Sequence, residues 1–598
     1  QLKVLVDPFG VGRYVEVIKS PSFTIIHGDP YKLVTITPST LSQALKAPSI
    51  IKIEDKWGNP CRSLSGEFRV TNSKELGVEE KLKFKNGKAN LIIKPINRLG
   101  KQFLLIAARY RSLEAVSNPI LVDQIKNQPK YFWAELHAQS GETVGTGSIE
   151  EYFDFAKNYA LVDILSHQGN DFEVTNNFWR KINQLSADYN KTGEFVTFPG
   201  YEWSGNTSRG GDRNVIYLDE NQGIFRSSQA LIDDYQSGAV DVPKVQDLFK
   251  KIPHNKQSLL IAHVGGRRAN LDNHNAYVEK LVEVHSCWGT FEWFLFEALK
   301  RNYLVGVVAN SDGHDGRPGA SYPGSAHFVN QGGLTCVLAN QLDRQNVFEA
   351  LRNRHCYATT GARMILNVNL KEGGNEKNLA TMGDIITINK TTLILSVLVV
   401  GTNVLEKVEI YNKNKVIKTV SPLLNKSVDE IKYIKIAWTG AKSLGKNRIK
   451  DWVGKLELSK CHIAGKIEPV NFFNHLKNKF TNSGKLLTWV GETAGNTQAL
   501  IVPIKQNESG KGELNLKVNG KAVSISFDQI KQRANKYKLD GLNSYLEIYA
   551  TSKNRESTVL NIKEKLTKLS KGLNSIFIKV TQRDGQIAWT SPIFIKKQ

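Results

Sequence analysis

The chain has 598 residues, 40% of them hydrophobic and 23% charged. That length is too great for one hydrophobic core, and the balance excludes disordered and fibrous chains. No apolar run reaches the roughly 18 residues of a membrane helix, and five dispersed cysteines build neither a disulfide framework nor a Cys-x-x-Cys zinc site.

A net charge of +23 taken whole points to nucleic acid, but its distribution does not. Residues 1–130 carry 21 basic against 11 acidic side chains, residues 131–364 carry 21 against 27, and residues 365–598 carry 38 against 19. Nine of the twelve histidines fall between His137 and His355. An acidic, His-rich centre between basic flanks suits divalent cations better than phosphate backbones. The chain opens at Gln1 with no Met or hydrophobic leader, as expected of a truncated N-terminus. This leaves both a cytoplasmic and a periplasmic or secreted location open.

In chain order, residues 1–125 read as strands, such as 33–37 and 50–53, broken by turn clusters such as 56–60. The expectation is an N-terminal β-sandwich. A polar linker over 123–130 leads into a different pattern. Residues 131–136 read as a buried strand. Ser148-Ile-Glu-Glu151 reads as a capping box opening a helix through Ala160, with Ile149, Tyr152, Phe153, Ala156 and Tyr159 on one face. Strands are then predicted over 162–165, 195–198, 259–262, 281–284 and 305–309, and helices over 172–185, 245–251, 291–302 and 345–354. Strand–helix alternation over 131–364 predicts an α/β barrel or layered α/β domain. Residues 365–598 return to strands (364–370, 391–400, 407–411, 575–580) with short helices predicted over 472–480 and 562–569. One or two basic β-sandwiches are expected there.

In such a barrel, chemistry collects where strands end. The successive strand ends here are Glu135-Leu-His137-Ala-Gln139, Ser166-His167 running to Asp171, Gly200-Tyr-Glu202, His263-Val-Gly-Gly, Glu283-Val-His285 and Asn310-Ser-Asp312-Gly-His314. One His at a strand end is ordinarily a hydrogen-bonded core or surface residue. Six ends in succession, each bearing His, Asp or Glu, point to a metal site built from imidazole and carboxylate. His137, His167, Glu202, His263, Asp312 and His314 are the principal ligands expected, and His285 competes with Glu283. More than four ligands implies more than one ion, with Glu202 as the bridge.

These segments resemble the polymerase-and-histidinol-phosphatase (PHP) superfamily of metal-dependent phosphoesterases, and within it the uncharacterised branch called domain of unknown function 3604. The resemblance covers about 131–365. It is carried by residues 135–145, 167–172, 199–205, 210–214, 288–293, 311–321 and 357–363. It implies a distorted (β/α)7 barrel holding two or three divalent ions (zinc, manganese or iron), flanked by Ig-like β-sandwich regions. The superfamily's opening His-x-His is here His137-Ala-Gln139; an amide oxygen is a poorer ligand than imidazole, so Glu142 or Asp171 is a candidate to compensate for Gln139.

The function expected is a metal-dependent hydrolase, foremost a phosphoesterase using hydroxide at the metal centre. Arg317 or Arg213 would neutralise charge on a small anionic substrate, and His274 or His327 would act as general acid. The alternatives are a hydrolase of non-phosphate esters or amides, and a binding protein with a vestigial metal site. The basic flanks allow a nuclease, but the sequence shows no interleaved aromatic and basic residues of a nucleic-acid groove. Oligomeric state leaves no mark in the sequence.

Overall fold

The computed structural model describes residues 4–17, 19, 26–42, 47–93, 103–123, 129–253, 256–323, 328–373, 377–389, 392–422, 431–506, 512–532, 534–552, 558–567 and 569–598. Near the N-terminus, Lys32–Ile36, Ala47–Glu54 and Lys88–Ile93 form an antiparallel sheet. Along Lys32–Ile36 the inward positions Leu33 and Thr35 are buried between more open neighbours, the period of two that marks a strand with one wet face. A second sheet runs Leu113–Val116, Ala107–Tyr110, Gly66–Val70, Lys81–Phe84. The two enclose a core that includes Ile51, Ile53, Phe68 and Leu91.

From residue 130 the elements are β1 (Lys130–Glu135), α1 (Ile149–Phe155), β2 (Ile164–Ser166), α2 (Asn176–Tyr189), β3 (Val196–Phe198), β4 (Gly200–Trp203), β5 (Arg213–Tyr217) and α3 (Val245–Lys251). They continue with β6 (Ser258–Ala262), β7 (Glu279–Ser286), α4 (Glu292–Lys300), β8 (Gly306–Ala309), β9 (Leu334–Ala339), α5 (Arg344–Arg352) and β10 (Cys356–Thr359). The capping box opens α1 as expected: Ser148 accepts from the Glu151 N–H, and Glu151 accepts from the Ser148 N–H. Helix α2 starts four residues later than predicted. Thr175 caps it, its hydroxyl accepting from the Phe178 N–H at 3.1 Å.

The strands form two sheets. In one, β3, β2 and β1 run parallel, and β9 and β10 extend the sheet antiparallel. In the other, β4, β5 and β6 are antiparallel, while β6, β7 and β8 are parallel. Among the described residues the ladders do not close into one seven-stranded barrel. Two isolated parallel bridges, Asn170 to Glu202 and Ala138 to Gly313, join the sheets at the strand ends.

Beyond residue 364, Leu393–Val400 pairs with both Ile365–Glu372 and Val559–Lys565. Tyr433–Ala441, Thr497–Gln506 and Leu542–Thr551 form one sheet, and Lys450–Ser459, Leu486–Thr493 and Glu513–Val518 another. Trp438, Trp452 and Trp489 are buried in the core these two share. Near the end of the chain, β11 (Gly572–Gln582) and β12 (Ile587–Thr590) return to the central sheet, where β12 pairs with β10. That ladder crosses the boundary expected at residue 364.

The two short helices expected in this region are not formed. Residues 562–565 belong to the strand Val559–Lys565, where Ile562 faces Val397. Residues 479–480 start the strand Lys479–Asn482. Strand pairing outweighs local helix preference in both, with a distant partner in the first and a hairpin to Leu486–Thr493 in the second. No helix of the described residues is long and apolar enough to cross a membrane.

Candidate metal centre

The two bridges place three expected ligands on one seam. Beyond β1 the chain carries His137 alongside Asp312: the Asp312 N–H donates to the His137 carbonyl at 2.6 Å, and the Gln139 N–H to the Gly313 carbonyl at 3.1 Å. Beyond β2, the Asp171 N–H donates to the Glu202 carbonyl at 2.8 Å. Glu135 anchors the seam, accepting from the N–H groups of His137, Ser311 and Gly319. Asp312 itself sits at φ +45°, a conformation costly for a non-glycine residue and often found where function over-determines the backbone.

The side chains converge from there. His137 Nε2 lies 3.4 Å from Asp312 Oδ1 and 3.8 Å from Glu202 Oε2, and His263 Nε2 lies 3.5 Å from Glu202 Oε1. Glu202 therefore spans the two imidazoles with one oxygen toward each. Two overlapping groups have ligand atoms all within 4.8 Å of one another: His137, His263 and Asp312; and Glu202, Asp212 and His263. All five residues are buried. His314 stands at the rim, its Nε2 3.6 Å from Asp312 and its side chain 24% exposed. The loop after β6 must run close: a Cβ on Gly265 would stand 3.0 Å from Asp312 Oδ2 and 3.1 Å from the His263 ring.

Three nitrogens here are conspicuous. His137 Nε2 and both nitrogens of His263 are buried with no hydrogen-bond partner among the described residues. Buried polar atoms are rarely left so. His137 Nδ1, by contrast, is held by Glu283 at 3.1 Å, and Asn310 steadies Glu283 at 2.7 Å. A carboxylate on one imidazole nitrogen fixes the ring and its tautomer and turns the other nitrogen toward a metal. Nitrogen and carboxylate donors in overlapping groups, with unpartnered imidazole nitrogens among them, fit divalent ions of the zinc–manganese–iron type.

The electrostatics are those of a crowded acidic pocket. Burial pulls the His137 pKa down, but the Asp312 and Glu283 carboxylates outweigh it and hold the imidazole well above its ordinary value. Burial and the neighbouring His137 keep His263 well below. Burial and repulsion from Glu202 raise Asp212 far above the carboxylate range despite its Arg267 partner. Asp312 is lowered, since His137 and His314 overcome the cost of its burial.

Several expected site residues sit elsewhere. Arg213 is fully buried and spends its guanidinium on Glu279 and on the carbonyls of Gly210, Gly211, Asn270 and Asn273, so it has no free face for a substrate. His274 shares Glu279 with it at 3.1 Å and stacks on Tyr303, away from the cluster. Arg317 reaches the Trp57 carbonyl at 2.8 Å and Asp315 at 3.2 Å, tying the central region to the N-terminal one. His327 lies outside the described residues. His167 packs between Tyr152 and Phe178, with Ser140 on Nε2 and the Gly169 N–H on Nδ1; burial pushes its pKa down to about 3.

Asp171 accepts from the N–H groups of Ser204 and Ser227, bracing two loops. Glu142 accepts from Ser140 and from the Ile149 N–H at the start of α1. Gln139 lies at the edge of the cluster, its amide donating to Glu202 at 3.3 Å and to Asn170 at 3.2 Å. It orients Glu202, whereas its own oxygen is taken by Thr143. His285 is turned away, bonded to Thr290 and to the Gln331 carbonyl. The ladder between β7 and β8 slips between Glu283 and His285. That bulge sends Glu283 to the cluster and His285 out of it.

Asp212 went unrecognised because β5 runs antiparallel to its neighbours. Its N-terminal end, not its C-terminal end, meets the cluster. The signal was an acidic residue after Gly210-Gly211, just ahead of the strand.

A family model described as "Protein of unknown function (DUF3604)" matches residues 113–264 and 315–387, segments that include His137, Glu202, Asp212 and His263. Uncharacterised proteins of Chlamydia pneumoniae and Chlamydia muridarum are 26% and 23% identical to this chain over 452 residues. Each alignment covers 70% of this chain and 69% of the relative. A Chlamydia trachomatis protein, also uncharacterised, is 23% identical over 457 residues, with the same coverage. Among solved structures, a two-domain protein from Bacteroides vulgatus, described as containing a predicted PHP-like metal-dependent phosphoesterase, aligns at 11% identity. It covers 68% of this chain and 99% of its own, with a TM-score of 0.27.

Proposed function

We propose that the chain is a metal-dependent hydrolase of small anionic esters, foremost phosphate esters, with divalent ions held by His137, Glu202, Asp212, His263 and Asp312. The observation that carries this is the trio of bare, buried imidazole nitrogens of His137 and His263 facing three carboxylates. Leaving such a group unmatched costs roughly 1–3 kcal/mol each, and a divalent cation reverses that cost. We read the two sheets, joined by their bridges at the site, as the halves of a distorted (β/α)7 barrel with its chemistry at the strand ends.

Divalent ions bound there would supply Lewis acidity, drawing the pKa of a water toward neutrality and offsetting charge on ester oxygens. The side chains' part is positional. Glu202 lies between the two imidazoles, Glu283 locks the His137 ring, and Gln139 and Asn170 fix the Glu202 carboxylate. His314 and Arg267, each 24% exposed at the side chain, stand at the rim where an anionic substrate arrives. Arg267 keeps its bond to Asp212 at 2.8 Å and brings positive charge to that edge.

The test is metal analysis combined with a substrate panel. Protein stripped by chelator and reloaded with zinc or manganese is expected to bind divalent metal stoichiometrically at these overlapping ligand groups, and to hydrolyse phosphate mono- or diesters. His263→Ala and Asp312→Asn are expected to lose activity by more than the roughly 10–100-fold of a supporting residue. Metal-loaded protein that cleaves only carboxylic esters or amides would move the substrate class. Protein that binds no divalent metal would overturn the reading.

A further inference from the structure

A cleft of about 740 Å3 is lined by none of the metal-cluster residues. It opens between α4, the strand Leu405–Asn412 and the sheets beyond residue 431, and it is of the size that takes a small ligand. Its walls combine three features. Trp293, Phe296 and Tyr545 present half-buried aromatic surface. Asn414, Asn543, Thr439 and Ser443 offer amides and hydroxyls. Five cations, Lys407, Lys536, Lys538, Lys579 and Arg448, face two carboxylates, Glu292 and Glu409.

The cations divide into two sets. Lys579 is paired with Glu292, and Lys407 lies 3.6 Å from Glu547 and 3.9 Å from Glu409. Lys536, Lys538 and Arg448 have no carboxylate within ion-pair range among the described residues. Lys536 and Lys538 are alternate residues of the strand Asn535–Lys538, both exposed, so they lie on one face roughly 6.6 Å apart. Lys538 stands directly opposite Tyr545, and the Lys536 ammonium lies 3.4 Å from the centre of that ring. Arg448 is only 2% exposed. It gives three N–H groups to the carbonyls of Gly445, Val264 and Gly265 and has two more to give. Its guanidinium also lies over the Trp288 and Phe291 rings, so it builds the wall of the cleft.

We propose that this cleft binds an acidic oligosaccharide, its rings laid on Trp293 and its anionic groups met by Lys536 and Lys538. Charges spaced along a strand suit an anion repeated along a chain better than a single compact phosphate. Ring stacking combined with amide and hydroxyl partners suits hydroxylated rings. The anion is a carboxylate or a sulfate, which the cleft's chemistry does not separate. Through Arg448 the cleft shares a wall with the Val264–Gly265 loop that follows His263.

Titration calorimetry of the full chain tests this with tetragalacturonate, a heparin tetrasaccharide, maltotetraose and ATP. One or both acidic tetrasaccharides are expected to bind, and which one identifies the anion. Maltotetraose and ATP are expected to bind at least about tenfold more weakly. Lys536→Ala/Lys538→Ala, both at exposed positions, is expected to fold as the parent does and to lose about tenfold in affinity, as is Trp293→Ala. Asp312→Asn is expected to bind the oligosaccharide unchanged, so a failure of the hydrolase reading leaves this one standing. The proposal falls if neither acidic probe binds, if the double variant binds as tightly as the parent, or if maltotetraose or ATP binds equally well.

Discussion

Two clusters of charged side chains lie equally deep in this molecule and differ in one respect. In the C-terminal region Glu406 and Lys435 are 4% and 1% exposed. Glu406 Oε2 accepts from Lys435 and from the Tyr549 hydroxyl, both at 2.7 Å, and Oε1 accepts from Thr551 at 3.0 Å. Lys435 also donates to the Arg583 carbonyl at 2.9 Å. That network closes on itself. At the strand ends, His137, His263, Glu202, Asp212 and Asp312 are as deeply buried and leave three imidazole nitrogens bare. Burial and charge alone therefore do not mark a functional site; unpartnered imidazole nitrogens grouped with carboxylates set this one apart. The same test separates Arg213 and His274, satisfied by Glu279, from the neighbours they were grouped with by sequence.

The comparison can be broken from its closed side first. Lys435→Ala strands the Glu406 carboxylate and is expected to cost about 3–5 kcal/mol of stability, measured by denaturant unfolding, with bound metal unchanged. Asp163 comes next, a half-buried carboxyl that accepts from the Trp133 N–H at 2.7 Å. Burial pushes its pKa up to about 6 from 3.8, with Trp133 and Arg363 opposing. The folded protein thus holds this proton more tightly than the unfolded one. The resulting stability is full below about pH 4 and is lost as pH rises through about 6. Asp163→Asn is expected to flatten that decline by on the order of 3 kcal/mol relative to the parent, read from unfolding at each pH.

The open cluster is expected to respond to what is added. Zinc or manganese at a hundred times its dissociation constant should stabilise the parent by about 2.7 kcal/mol, a gain that chelation reverses and His263→Ala abolishes. Lys435→Ala should retain it. Glu283→Gln keeps the shape of the His137 support but removes its charge. It is expected to weaken metal binding roughly 10–100-fold, about 1.4–2.7 kcal/mol, by direct titration with metal.

Much of this was legible in the sequence because its signals are local. The capping box at Ser148 fixed the start of α1, and His137, His263 and Asp312, read from strand ends, lie within one cluster. What was not legible depends on direction and register. Asp212 was hidden by an antiparallel strand, and His285 was displaced by one bulged residue in β7. His167 sits at the right strand end, but its ring is claimed by Tyr152, Phe178 and Ser140, contacts no spacing rule encodes. Arg317, in a Gly-rich loop, looked like an anion clamp. Its partner, the Trp57 carbonyl, comes from 260 residues away. Residues 562–565 illustrate the same limit in the fold, where pairing with Leu393–Val400 decides the conformation.

The smallest effect tests the same rule at the surface. Ser148 and Glu151 satisfy each other's backbone N–H groups at 3.2 and 2.9 Å, as completely as Glu406 and Lys435 do, but at an exposed helix end. When Ser148 becomes Ala, water can take the place of the lost hydroxyl, which it cannot do beside Glu406. The expected cost is therefore about 1 kcal/mol, and metal affinity should not move, since Glu142 still holds the Ile149 N–H at 3.1 Å and keeps α1 in place. A loss as large as that of Lys435→Ala, measured in the same denaturant, would mean that burial is not what sets the cost of opening a closed polar pair in this protein.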